Sequence, residues 1–415
     1  MRGTITRHLR DPLGFYFVFT AILYVLTYAA MSALGISGFS LSPYLNAALA
    51  LAVFAYGAQF VLVGILEGAE RYHKIDRRSF VYVASLVCVA SVGLILGVSQ
   101  SHSDIYIIST TVYFVNYIIF CLMATRMKIT DGHIQSLILP AAVVCLMGRF
   151  WGQSIAPHAL LFLGIASLIG VSRPGGRKTV SIVGFLSLMV IIGASNRAVL
   201  IALLLSAIAC ALIYRRYFVS FMLCVTALGA PIVLSSISLD LYLDSNGGSY
   251  RRAKEIQLLM NGERSFDEIV ALQQRLFEMD LVSDLMENES LGVRLFGGGF
   301  GKTINMTASG DGSVIEASFL GSGHVHNIHS LPHAVYFRYG WLGLILFSLF
   351  SINVIRNVVV GIGVGRLGFM VSFCILYPLA RLVTAIPASN FLIVDFIVFA
   401  LVIRANHGLS CAKRA

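Results

Sequence analysis

Apolar residues run along this chain in blocks of about 20, the number a helix needs to cross a bilayer core of about 30 Å. Short polar turns separate the blocks, and one long polar segment, residues 240–332, interrupts them. The pattern predicts twelve helices, near 13–34, 45–66, 79–98, 104–125, 134–148, 159–171, 179–194, 198–213, 217–239, 333–355, 366–386 and 389–403. Pro140 and Pro157 flank the fifth and sixth, which also read as one broken helix plus a short one. The expected fold is therefore an all-α polytopic membrane protein. Residues 1–239 carry helices 1–9, residues 240–332 form an extracytoplasmic loop with amphipathic helices, and residues 333–415 carry helices 10–12 and a short cytoplasmic tail.

Composition agrees with that pattern. Of 415 residues, 57% are hydrophobic and 12% charged, about half the charge of a soluble domain. The net charge of +10 does not point to nucleic acid, because basic residues sit in short clusters between apolar runs, as in "RRSF" at Arg77, "RPGGRK" at Arg173 and "YRRY" at Tyr214. The segment 240–332 has 13 acidic and 7 basic residues. Cytoplasmic loops collect Lys and Arg, and a cytoplasmic N-terminus puts nearly every such cluster inside, leaving Arg149 and Arg197 in the short outer loops. Both termini then face the cytoplasm, and 240–332 faces outward, to the periplasm in a Gram-negative cell and to the cell surface otherwise. "MRGTITRHLRDP" precedes the first apolar run without a following cleavage site, so the first helix is read as retained. The seven cysteines are scattered, implying neither a disulfide framework nor a zinc site.

The outer segment is too long to be structureless. "SFDE" at Ser265–Glu268 is a capping-box pattern, and Phe266, Ile269, Val270, Phe277, Leu281 and Leu285 follow at helical spacing, predicting an amphipathic helix of about six turns. "FGGGFGKT" (Phe296–Thr303) reads as a glycine-rich turn. It is no P-loop, since phenylalanine stands where that motif's first glycine belongs.

Several charged positions run against the topology. Arg197, in "GASNRAVL", is either a snorkelling side chain at a tight turn or a guanidinium aimed into an outward cavity, where it could bind diphosphate. Arg275 reads most simply as part of a solvated helix face, with Glu278 in range at i+3. Arg338 and Arg381 fall inside apolar runs, where an ionisable group needs a cavity or a partner. His324, His326, His329 and His333 crowd ahead of the tenth helix, which Pro332 is expected to open. Zinc is disfavoured, because that proline breaks their register and the stretch contains no cysteine or carboxylate. Capping of a helix start accounts for most of them, and one histidine suits a general base.

"HSLPHAVYFRYGWLG" (His329–Gly343) fits histidine followed by Asn, Ser or Gln, then nine residues, then Gly-x-x-Gly. In this it resembles the bacterial O-antigen ligase and O-antigen polymerase-like family. "SNRAVLIALLL" is similar to the family's arginine-bearing segment, and "QRLFEMDLVSDLMENESLGVRLFGGGFG" to its Arg-to-Gly-x-Gly stretch in the outer loop. The layout, about twelve helices with the large loop before the tenth, is also the family's. The dipeptide is His-Ser where His-Asn is commoner, and Arg338 stands where many relatives carry an acid.

The resemblance implies a glycosyltransferase whose donor is an undecaprenyl-diphosphate-linked glycan. The acceptor would be lipid A–core for a ligase or a second lipid-linked glycan for a polymerase. It implies Arg197 and Arg275 on the diphosphate, His329 as base, and Arg338 and His326 as further substrate contacts. Gly340, Gly343, Gly297 and Gly299 would be structural, with no metal and no cofactor. A transporter or flippase for lipid-linked sugars is the alternative of a different class. It predicts inverted repeats, which the sequence does not display.

Overall fold

The computed structural model describes residues 12–34, 77–100, 102, 104–124, 131–150, 197–217, 257–265, 270–305, 324–325, 328 and 330–363. It also describes short stretches between 48 and 66, at 221, 224 and 254–255, and between 372 and 380. The described residues are mostly helical. Their elements are α1 (Pro12–Leu34), α2 (Arg77–Ser99), α3 (Asp104–Ala124), α4 (Asp131–Phe150), α5 (Arg197–Ile213), α6 (Val270–Glu287), α7 (Leu291–Phe296), β1 (Ile304–Asn305), β2 (His324–Val325) and α8 (Leu331–Gly363). Counting only described residues, no helix is long and apolar enough to cross a membrane.

Five expected helices stand within a few residues of their predicted ends, because unbroken apolar runs bounded by polar turns leave little choice of boundary. The predicted fifth, near 134–148, is one continuous helix through Pro140. The expected segments at 159–171, 179–194 and 389–403 lie outside the described residues, and those at 45–66, 217–239 and 366–386 are described only in part.

Helix α1 packs on α4. Phe17, Thr20 and Tyr24 of α1, and Ile134, Ile138, Ala141 and Cys145 of α4, are buried at three- to four-residue intervals, the spacing of one helical face. Phe15 stacks on Tyr56 at 4.2 Å between centroids. A second assembly gathers α2, α3, α6, α7 and α8, with α8 touching α2, α6 and α7. Its core joins Val282 and Met286 of α6, Val293 of α7, Ile304 of β1, and Leu331, Ala334, Val335 and Phe337 of α8.

Within 240–332 the described residues form α6 and α7, and residues 257–260 are helical as well. α6 covers 18 residues; of the expected capping box Ser265–Glu268, Ser265 is exposed and not helical, and residues 266–268 lie outside the described residues. Its inward stripe is Glu278, Val282 and Met286, with Phe277 and Leu281 beside it. Leu285, expected inward, is exposed. The stripe runs through 278, 282 and 286, and position 285 lies about 100° round the helix from 286. Ser290 then caps α7, its hydroxyl accepting the Val293 N–H at 3.5 Å. β1 and β2 pair antiparallel, Ile304 with Val325 and Asn305 with His324. That pairing ties the histidine stretch to the end of the glycine turn.

α8 opens at Leu331, one residue before the expected Pro332, because the Ala334 N–H already bonds the Ser330 carbonyl at 2.9 Å. Pro332 is then in the first turn, where its missing N–H costs nothing. The helix breaks direction at Gly340, with φ 62° and ψ −162°.

Candidate functional site

The two motif stretches "FGGGFG" and "HSLPHAVYFRYGWLG" meet backbone to backbone. α7 ends at Gly297, whose φ of 84° is left-handed and whose N–H bonds the Val293 carbonyl at 2.7 Å. The Gly298 N–H then bonds the Phe337 carbonyl at 2.8 Å, and the Gly299 N–H the Arg338 carbonyl at 3.3 Å. A side chain on Gly297 would strike the Arg338 carbonyl and the Tyr339 nitrogen, and one on Gly340 the Leu295 carbonyl and the Gly297 nitrogen. Gly340 therefore serves two purposes, turning α8 at a positive φ and admitting the loop against it. Gly343 has a smaller part, since its Cβ would meet Tyr339 one turn earlier across the kink.

A third strand of the junction comes from α2. The Phe300 N–H bonds the Gly93 carbonyl at 2.9 Å, and Gly97 lies against the Phe300 backbone carbonyl. Phe300 is buried with Ala90 and Ile107, its ring edge-on to Tyr339 at 6.0 Å. His102 Nε2 donates to the Gly298 carbonyl at 3.0 Å, which requires the ring proton on that nitrogen. The N–H groups of Gly298, Gly299 and Phe300 are thus all engaged by carbonyls. Glycine here secures helix contact.

Charged and titratable side chains surround this junction. On α6, Arg275 is half-buried, and Glu278 one turn on is buried rather than solvated. A buried carboxylate is costly unless satisfied, and both residues are engaged by neighbours. Arg338 is 7% exposed, just ahead of the kink. Lys302 pairs with Glu289 at 2.6 Å and stands 5.4 Å above the Phe337 ring. At the start of α8, the Ser330 hydroxyl and His333 Nδ1 are 2.8 Å apart. A cavity of about 650 Å³ opens between α6, α7 and α8, with His333, Arg294 and Glu287 on its wall and Arg338 outside it.

The expected site residues fall into three groups. Gly297, Gly299, Gly340 and Gly343 are brought together at the junction, and Arg338 adjoins it through its carbonyl. Arg275 is on α6, which packs against α8. Arg197 is the first residue of α5, but its side chain lies outside the described residues, as do His326 and His329. Their neighbours Ile328 and Ser330 are described, and both are buried. Among the described residues no group of three His, Cys, Asp or Glu is placed to hold a metal ion.

Sequence reasoning did not single out Gly93, Gly97, His102, Arg294 or Glu287. Gly93 and Gly97 had a readable signal, the small-xxx-small spacing "GLILG" within an apolar run. Nothing local marked the others. No family model matches the chain, and no curated protein or solved structure matches it.

Proposed function

We propose that this chain is an inner-membrane glycosyltransferase of the O-antigen ligase type. It would move a glycan from undecaprenyl diphosphate to a sugar hydroxyl of lipid A–core at the periplasmic face. The observation that carries the reading is the junction itself. Two stretches read as family motifs, about forty residues apart in sequence, interlock through Gly297 and Gly340, and β1–β2 draws the histidine stretch to the same place.

Membrane placement is supported by the outer faces of the helices. In α8, Leu342, Ile345, Leu349, Ile352, Ile355 and Val359 form one stripe, 38 to 61% exposed. Ile22, Val25 and Leu26 of α1 and Ile95 and Val98 of α2 are likewise exposed. Large apolar stripes without a protein partner suit lipid. The kink at Gly340 lets Leu331–Tyr339 stay with the outer segment, so the crossing begins near Trp341, a residue type favoured at the interface.

In the proposed reaction, His329 accepts the proton of the acceptor hydroxyl as its oxygen attacks the anomeric carbon. The bond from that carbon to the diphosphate oxygen breaks. Arg197 and Arg275 balance the charge that develops on the leaving diphosphate, a task needing no nucleotide on the outer face. The lipid diphosphate departs and the imidazolium returns its proton to solvent.

The test is glycan transfer by purified protein from a lipid-diphosphate-linked oligosaccharide, offered lipid A–core or a second lipid-linked chain. His329→Ala should lose at least about a hundredfold in rate, the usual worth of a general base, while His326→Ala keeps most of it. Transfer only to the second lipid-linked chain would make the protein a polymerase. Transfer to neither by wild type would leave the transporter reading ahead.

A further inference from the structure

The cavity between α6, α7 and α8 has a lining that the transfer chemistry above does not use. Trp341 is half-exposed at its edge, and Tyr336 stands against it with ring centroids 5.0 Å apart and planes inclined by 52°. Arg294 reaches in from α7, and its buried Nε has no hydrogen-bond partner among the described residues. Glu287 at the end of α6 is exposed to the same space, and Ser283 and His333 complete the polar wall. The Nδ1 of His333 is already matched to Ser330 at 2.8 Å, which leaves Nε2 as its available nitrogen.

Each component narrows the ligand. An apolar tail would strip water from the Arg294 guanidinium and the Glu287 carboxylate on the cavity wall without replacing its hydrogen bonds. A phosphate would satisfy Arg294 but meet the carboxylate of Glu287. A cation would reverse the conflict. A ligand whose hydroxyls both donate and accept satisfies Glu287 and Arg294 together. If it also carries a face of C–H bonds, that face suits the negative face of an aromatic ring. The volume of about 650 Å³ is in the usual range for small-molecule sites, roughly 300–1,000 Å³. We infer that this cavity binds a pyranose ring of the glycan, stacked on Trp341 and hydrogen-bonded by Arg294 and Glu287. The inference rests on the glycosyltransferase reading for the presence of a sugar, and it makes the α6–α8 cavity a glycan subsite beside the catalytic histidine stretch.

Binding can be read without turnover. The chain has two tryptophans, Trp151 and Trp341, so Trp151→Phe leaves Trp341 as the only indole reporter. In that background, full-length protein in detergent is titrated through the millimolar range with free monosaccharides, with the carrier-free donor repeat unit, and with core oligosaccharide. Inorganic diphosphate is titrated separately. The expected result is a saturable change in Trp341 emission with at least one sugar, weakened tenfold or more by Glu287→Gln and by Arg294→Gln. Whichever oligosaccharide responds identifies the subsite as donor-side or acceptor-side. Absence of any sugar response, equal responses in both variants, or saturation by diphosphate alone would overturn the inference. The two readings fail separately. Sugar binding without transfer by wild type keeps the subsite and removes the transferase. Transfer without a Trp341 response does the reverse.

Discussion

Gly297 and Gly340 combine two demands that are separable by substitution. Each has a positive φ, and each faces a backbone where a Cβ would enter. Gly262 shares the φ, at 72°, but has nothing within 4 Å of a Cβ. Gly262→Ala should therefore cost only left-handed strain, about 1 kcal/mol. Gly297→Ala and Gly340→Ala should each cost several kcal/mol or prevent folding, as expected when strain and overpacking combine. Thermal unfolding in detergent compares the three, and equal losses would sink the packing argument. Arg215 presents the opposite case. It ends α5 with φ 55°, its N–H bonding the Leu212 carbonyl at 3.0 Å while the Arg216 N–H bonds Ala211 at 2.7 Å. This is a Schellman ending with arginine where glycine is preferred. Arg215→Gly should raise stability by about 0.5–1 kcal/mol, seen as a higher unfolding temperature.

Among elements, the glycine turn couples α2 to α8. Gly97 admits the Phe300 carbonyl on one side, and Gly297 admits the Arg338 carbonyl on the other. Opening either contact frees the same short loop, so damage at one should reduce what the other can still lose. Gly97→Ala and Gly297→Ala together should destabilise by less than the sum of the singles, with a coupling of about 1 kcal/mol or more. Strict additivity in a double-mutant thermal series would mean that the two contacts are independent. This scale also separates what was legible in the sequence from what was not. Runs such as Pro12–Leu34 and Asp104–Ala124 declare themselves, because helix formation and burial are local in sequence. The break in α8 was hidden inside an apolar run, and the pairing of Ile304 with Val325 had no local signature. Both depend on a partner distant in sequence. Arg294 and Glu287 were illegible for a related reason, since two charges in a polar helical stretch are unexceptional until α8 brings Trp341 and His333 beside them. Gly297 and Gly340, by contrast, were singled out through the resemblance of their stretches to known motifs, and they meet at the junction.

For the molecule as a whole, orientation and burial make one connected claim. If the exposed stripe from Leu342 to Val359 faces lipid, the polar turn around Asn261 and the junction lie on the outer side, and Arg216 and Arg356 lie on the inner. The charge asymmetry demands the same orientation, because positively charged loops are retained in the cytoplasm. Single cysteines in a background lacking the seven native ones would check it in intact cells with a membrane-impermeant maleimide. Asn261→Cys should label without permeabilisation and Arg356→Cys only after it. Leu349→Cys should resist the charged reagent in both conditions while reacting with a lipid-soluble one. Labelling of Asn261→Cys only after permeabilisation would reverse the topology and remove the lipid-linked donor from reach. Ready labelling of Leu349→Cys by the charged reagent would place the α8 stripe in water. The exposed leucines and isoleucines would then need a protein partner, and the membrane reading would fall with them. The three positions test one proposed geometry, in which a kinked α8 would hold Leu331–Tyr339 among the proposed glycan-binding residues and send the remainder through the bilayer.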